Sequence, residues 1–136
     1  MTRDETEQLI HDVFRARLAG RLDELVGYLA PDVTLRFPGT SSNEILARTS
    51  GSRDSVREHL AALLREWRWT DIDVMSIVIE GDRAVVHAKQ FVVHTPSGTP
   101  SASEVVDLIT FRDGQITEFV EFVDTALVAS MAHVAA

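Results

Sequence analysis

The second half of the chain constrains its fold most, because apolar and polar residues alternate there in four successive runs. These runs cover residues 70–80, 84–94, 103–112 and 115–123. A period of two predicts strands that bury one face, and the short connections between the runs leave no room for crossover helices. The pattern therefore predicts an antiparallel meander, with a β-bulge near Met75–Ser76, where the alternation slips by one residue.

Helical periodicity precedes this meander. Apolar residues three and four positions apart predict a first helix that stops at Gly20, a second over residues 22–29 and a third over residues 52–67. A short strand is expected at residues 33–37 and a terminal helix at residues 125–134. Helices at the start and strands at the end favour an α+β fold with the helices against one face of the sheet.

Length and composition narrow the class of protein. The 136 residues fit one domain, so we expect residues 1–136 to form a single unit, with residues 39–51 as a loop or flap. The net charge of −8 argues against a nucleic-acid partner, and the absence of cysteine excludes disulfides and thiolate chemistry. The N-terminus is polar and acidic, and no apolar run approaches the ~20 residues that span a bilayer. We therefore expect a cytoplasmic protein without a membrane partner.

Motifs for bound metals and cofactors are missing from the sequence. The five histidines are scattered, without a His-x-His or His-Glu-x-x-His spacing. The sequence contains no phosphate-binding loop, no Gly-x-Gly-x-x-Gly and no Gly-x-Ser-x-Gly. We therefore predict no metal and no cofactor.

Two carboxylates stand within apolar strand segments, which makes them the candidate catalytic residues. Asp107 interrupts the run 105–109, and Glu121 interrupts the run 119–123. Burial raises the pKa of a carboxyl group and suits it to general acid or base catalysis. Alternatively, each carboxylate belongs to a structural ion pair with a cation such as Arg36, Lys89 or Arg112.

The turn between the last two strands decides whether these carboxylates can cooperate. A three-residue loop at 112–114 would place Asp107 and Glu121 on one face of the sheet, as near-diagonal neighbours. A two-residue loop at Asp113–Gly114 would place them on opposite faces, and a paired mechanism would then fail. The sequence leaves both registers open.

Several segments resemble the SnoaL-like branch of the nuclear transport factor 2 superfamily. They are Leu18–Asp23, Leu29–Leu35, Thr49–Val56 and Thr110–Ile116 with the following Asp124. The resemblance covers nearly the whole chain. It implies a cone-shaped, strongly bent antiparallel sheet packed on three N-terminal helices, a cystatin-like α+β barrel with a pocket inside the cone.

The resemblance also bears on activity, since this superfamily includes isomerases, cyclases, dehydratases, epoxide hydrolases and plain binding domains. Asp107 falls where ketosteroid isomerases place a protonated, oxyanion-holding aspartic acid, and Glu121 falls where the cyclases and epoxide hydrolases carry a catalytic aspartate. The isomerase base is replaced by Phe37. The Arg-x-Asp of the epoxide hydrolases falls near Ala88 and Gln90, which breaks that set. The cyclase-like interpretation requires the fewest departures from the catalytic residues of the family.

These observations favour a cofactor-independent acid–base enzyme that acts on a small apolar or polyketide-like carbonyl compound, as an isomerase, aldol-type cyclase or dehydratase. One carboxylate would abstract a proton, and the other, protonated, would stabilise the enolate. The expected substrate-binding residues are Leu35, Phe37, Trp67, Gln90, Ile109 and Phe119. The alternative is a non-catalytic domain that binds a small apolar molecule; epoxide hydrolysis is a third, weaker possibility.

A homodimer is expected from the opposite face of the last two strands. Four apolar residues with even numbers share that face: Val106, Leu108, Val120 and Phe122. An apolar face of this size on a small protein usually marks an interface, and the resemblance implies dimers formed through it. We expect Arg36 to point outward or to the mouth of the cone, because burial cannot neutralise an arginine.

Overall fold

The computed structural model describes residues 1–39 and 43–135, with side chains as far as residue 131. Its helices are α1 (Arg3–Ala19), α2 (Leu22–Gly27), α3 (Glu44–Ala47), α4 (Arg53–Glu66) and α5 (Thr125–Ala135). Its strands are β1 (Leu29–Arg36), β2 (Ser50–Gly51), β3 (Trp67–Glu80), β4 (Arg83–His94), β5 (Thr99–Arg112) and β6 (Gln115–Phe122). No helix in this described part is long and apolar enough to cross a membrane.

The strands form one six-stranded sheet in the order β2-β1-β6-β5-β4-β3. Strands β3 to β6 make the predicted antiparallel meander, which confirms the α+β class. The expectation of a purely antiparallel sheet needs one correction, because β1 pairs with β6 in parallel. Parallel neighbours need a long connection, and here the chain passes through α3, α4 and four other strands between them.

Three β-bulges bend the sheet. In β3 the pairing with β4 shifts by one residue at Thr70 and again at Met75, and the second shift confirms the bulge predicted near Met75–Ser76. In β6 the pairing with β5 shifts at Thr117. Each extra residue increases the local twist and turns the strand, so the sheet curves over the helices.

Helix α1 brings a charged side chain onto the concave side of this sheet. The helix begins with a capping box between Thr2 and Glu5 and ends at Gly20, whose φ of 69° lies in the left-handed region. Its buried face consists of Thr6, Ile10, Val13, Phe14, Ala16 and Arg17. Arg17 therefore lies at the position where helical spacing would place another apolar residue.

Several element boundaries differ from the prediction. The expected flap at 39–51 contains the single turn α3 and the short strand β2, apart from residues 40–42, which lie outside the described residues. The second helix ends earlier and β1 starts earlier. Strand β5 starts at Thr99 rather than 103, although Pro100 is a poor strand residue. Residues 99–105 pair with β4 alone. On their other side they have no neighbouring strand among the described residues, so the missing N–H of Pro100 removes no hydrogen bond there.

Candidate functional site

The β5–β6 hairpin places Asp107 directly opposite Glu121. Its turn is the two-residue form, because Asp113 and Gly114 both have positive φ and the flanking residues pair. That turn alone would put the two carboxylates on opposite faces. The bulge at Thr117 adds one residue to β6 and reverses its facing from there on. The carboxylates share the inner face, but the three-residue loop is not the reason.

Arg17 on α1 is the partner of Glu121. Its Nη1 donates to Oε1 at 2.6 Å and its Nη2 to Oε2 at 3.3 Å, and both side chains are almost fully buried. The guanidinium carbon lies 4.7 Å from the centroid of the Trp69 ring and 5.8 Å from that of Phe119. Arg17 and Glu121 share two hydrogen bonds, and Arg17 lies next to two aromatic rings. These contacts hold both charged groups in one orientation.

The ion-pair alternative therefore holds for Glu121, but with a cation that the sequence analysis did not name. Arg36 and Lys89 are exposed, and Arg112 forms an exposed two-point pair with Asp32. The available signal was the helical spacing of α1, which places residue 17 one turn after Val13 on the buried face.

Gln90 completes the polar contacts of Glu121. The indole Nε1 of Trp69 donates to Gln90 Oε1 at 2.9 Å, which fixes the orientation of the amide. Gln90 Nε2 then donates to Glu121 Oε1 at 3.4 Å. The same carboxylate oxygen thus accepts from both Arg17 and Gln90.

Asp107 lies in a different environment. It is completely buried, and no N–H or O–H donor among the described residues reaches either carboxyl oxygen. Burial raises the pKa of Asp107 well above its usual range, the charge of Glu121 raises it further, and Arg17 opposes this in part. A proton on Asp107 provides the missing donor, directed at Glu121. Arg17, Asp107 and Glu121 therefore form one buried cluster whose charges act on one another.

Two small cavities flank the Arg17–Glu121 pair. The first, of about 50 Å³, is called here the α5 cavity; Glu121, Gln90, Phe37 and Trp67 line it together with Leu127, Val128 and Met131 of α5. The second, of about 40 Å³, is the α1 cavity; Arg17, Leu35 and Phe119 line it with further aliphatic residues. Neither Asp107 nor Ile109 lines either cavity. The predicted substrate-binding residues are therefore divided between the two cavities, and Ile109 lines neither. Glu121 is the carboxylate that faces the α5 cavity.

A buried histidine fastens the segment between β1 and α4. His59 Nδ1 lies 2.8 Å from Ser50 Oγ, and His59 Nε2 lies 2.7 Å from the carbonyl oxygen of Ile45. Because a carbonyl oxygen only accepts, Nε2 carries the proton and Ser50 donates to Nδ1. Burial lowers the pKa of His59, which favours this neutral form. These bonds hold the segment that carries Leu46, another residue of the α5 cavity.

The described residues contain no group of three or more histidine, aspartate or glutamate side chains that could hold a metal ion. The charged cluster has one cation and two carboxyl groups, and its strongest bonds are internal. Its available chemistry is therefore proton transfer and hydrogen bonding next to an apolar space.

Solved structures with the same fold come from several bacteria. An NTF2-like protein of unknown function from Burkholderia pseudomallei is 23% identical, with a TM-score of 0.81 over 96% of this chain and 98% of that one. TerC, crystallised with polyporic acid, is 20% identical, with a TM-score of 0.80 over 95% and 98%. A ketosteroid isomerase-like protein from Catenulispora acidiphila, in complex with trimethylamine, is 16% identical, with a TM-score of 0.74 over 90% and 91%.

These likenesses extend over nearly the whole chain and show the fold. No curated protein sequence is significantly similar to this chain. The sequence model of the SnoaL-like domain matches residues 10–119. This stretch includes the second half of α1 with Arg17, strands β1 to β5 with Asp107, and the first five residues of β6, and it ends before Glu121. The chain therefore belongs to the SnoaL-like domain family.

Proposed function

We propose that this protein is a cofactor-independent acid–base enzyme that moves a proton next to the carbonyl group of a small apolar or polyketide-like compound. The observation that carries the proposal is the position of Glu121, a buried carboxylate in the wall of an apolar cavity. Arg17 and Gln90 orient it, and it lies opposite a second carboxyl group. Perturbed, paired titratable groups in a cavity are a common sign of acid–base catalysis.

Glu121 is the proton acceptor in this proposal. A C–H bond next to the substrate carbonyl breaks, its proton goes to a Glu121 oxygen, and its electron pair forms the enolate. Gln90 has two amide hydrogens, of which one is directed at Glu121. We assign the other to the developing enolate oxygen, since Gln90 also lines the α5 cavity.

Asp107 takes a different part from the one expected from the sequence. It lines neither cavity, so it does not hold the enolate. Its contact is with Glu121, to which it donates a hydrogen bond when protonated. Asp107 is therefore a positioning residue, which holds Glu121 in place and keeps one acidic proton in the cluster.

The buried cation limits the type of reaction. When Glu121 accepts a proton while Asp107 is protonated, Arg17 loses its counter-charge in the interior, which is unfavourable. Glu121 must therefore give up the proton again within the same turnover, either to another carbon or an oxygen of the substrate or, in D2O, in exchange for a deuteron from the solvent. Isomerisation and aldol-type cyclisation both meet this condition.

Deuterium exchange tests the proposal without knowledge of the natural substrate. We expect the protein to accelerate exchange of the acidic C–H hydrogens of 2-tetralone in D2O, followed by NMR. Glu121→Gln should reduce this acceleration by about 10²–10⁴-fold, the usual contribution of a general base. Glu118→Gln is the matched control, because Glu118 lies on the same strand and pairs with Thr110 across the sheet; it should exchange like the wild type.

The alternative function is a domain that binds a small apolar molecule without chemistry. The observation that favours it is the two-point Arg17–Glu121 pair, because a carboxylate satisfied in this way gains less from accepting a proton. The same experiment separates the two functions. Binding of 2-tetralone without accelerated exchange would support the binding domain and refute the enzyme. Accelerated exchange that is unchanged in a folded Glu121→Gln variant would refute Glu121 as the proton acceptor.

We also propose a homodimer formed through the outer face of the sheet. Val78, Val85 and Leu108 pair in a row across β3, β4 and β5, and Phe122 lies nearby opposite Val106. Val78 and Phe122 are 61% and 44% exposed. Val120 continues the row but is buried within one chain, so it contributes less than expected from the sequence.

The mass in solution tests this dimer. Light scattering at micromolar concentration should give twice the 15.1 kDa of the chain. The double variant Val78→Lys/Phe122→Lys should be monomeric, because two charges per copy would face an apolar partner. Leu18→Lys, at an exposed leucine of α1, is the control and should stay dimeric. A monomeric wild type would contradict the proposal.

A further inference from the structure

The α5 cavity is too small for the compounds that the proposed function requires. Its volume is about 50 Å³, whereas an apolar cavity that holds benzene measures ~150 Å³. A ring compound can therefore reach Glu121 only if one wall of the cavity moves. The walls come from β-strands, from α4 and the segment before it, and from α5.

These walls differ in how they are held. The strand walls are joined to their neighbours by continuous pairing, and the segment before α4 is fastened by His59. Among the described contacts of α5, the hydrogen bonds beyond its own helical pattern run to its cap, from Leu127 N to Asp124 Oδ1 and from Val128 N to Asp124 O. Within the described residues, no side-chain hydrogen bond or ion pair joins α5 to the sheet.

Apolar contact holds α5 in place instead. The helix has no aspartate, glutamate, lysine or arginine between residues 125 and 135. Leu127 and Val128 lie one turn before Met131, and all three line the cavity. Met131 is 4% exposed, while the other two are half-buried. Methionine is flexible and fills irregular space, so Met131 occupies volume that a ligand could take.

We propose that α5 is a movable wall of the α5 cavity and that Met131 determines the size of the apolar ring that the cavity accepts. The proposal rests on the proposed function in one respect, namely that the α5 cavity is the substrate site. Opening exposes the apolar side chains of the cavity wall together with Gln90 and Glu121, and it breaks no hydrogen bond among the described contacts of α5. An apolar ligand that replaces Met131 against the cavity walls offsets this exposure.

Truncation of the methionine tests the space-filling part. Met131→Ala removes three heavy atoms from the cavity wall, and we expect it to bind benzene about tenfold more tightly than the wild type, or better. Binding is measured by NMR titration and by the rise in Tm with benzene concentration. Met75→Ala is the control, because Met75 is 51% exposed at the bulge in β3 and lines neither cavity. Leu127→Ala, one turn earlier, should act like Met131→Ala and serves if that variant does not fold.

Hydrogen exchange tests the mobility. In the wild-type chain the amides of α5 should exchange much faster than those in the centre of α4, and benzene should slow them in Met131→Ala. Exchange in α5 as slow as in α4 would refute the movable wall. Equal benzene affinity in the wild type and both truncated variants would refute the role of Met131. Benzene binding involves no turnover, so these outcomes are independent of whether the protein accelerates exchange in 2-tetralone.

Discussion

Replacing Arg17 by methionine is expected to lower the free energy of unfolding by about 3–5 kcal/mol, the usual cost of removing one partner from a buried ion pair. Methionine retains most of the apolar stem between Trp69 and Phe119. What is lost is the counter-charge of Glu121, a carboxylate that is 1% exposed. Urea denaturation followed by circular dichroism measures the change, with the m-value as a check that the unfolded states are comparable.

A double variant separates the loss of charge from the loss of packing. Arg17→Met/Glu121→Met removes both charges, and we expect it to recover most of the lost stability, because apolar replacements of buried ion pairs are often neutral or stabilising. Arg112→Met breaks the exposed pair with Asp32 and should cost less than about 1 kcal/mol. A double variant as unstable as Arg17→Met would show that packing around Arg17, and not its charge, stabilises the fold.

The fold could be predicted from periodicity, because residues 70–123 alternate over long runs and short turns leave few topologies. The parallel pairing of β1 with β6 could not be predicted in the same way, since no local pattern in residues 29–36 specifies a partner 80 residues away.

The candidate site was predictable in part. A carboxylate inside an apolar strand is conspicuous, and both Asp107 and Glu121 are indeed buried. Their common face depends on the bulge at Thr117, which has no glycine or other local signal. Alternation shows on which face of the sheet a residue lies but not how close it is to the cavity. It therefore could not distinguish Glu121, which lines the cavity, from Asp107, which does not. Arg17 was missed because a charged residue on an apolar helical stripe is normally assigned to its edge.

The stability of the protein should depend on pH through Asp107, because burial raises the pKa of this carboxyl group. In the unfolded chain an aspartate loses its proton near pH ~3.9, while Asp107 in the folded protein keeps its proton to a higher pH. Between these two pKa values the folded state binds more protons, so Asp107 lowers stability as the pH rises. Asp107→Asn removes this titration and retains a donor for Glu121. We therefore expect the Tm difference, variant minus wild type, to increase as the pH rises above about 4.

A surface aspartate provides a control with the opposite sign. The hydrogen bond from Arg112 lowers the pKa of Asp32, so its contribution is present above the unfolded pKa and is lost as the pH falls. The Tm difference for Asp32→Asn should therefore become more negative as the pH rises, while that for Asp107→Asn becomes more positive. Thermal unfolding across the pH range measures both. If the Asp107→Asn difference stayed flat or followed the direction of Asp32→Asn, Asp107 would be ionised in the folded protein. The shared proton, and with it the positioning of Glu121 by a neutral acid, would then have to be abandoned.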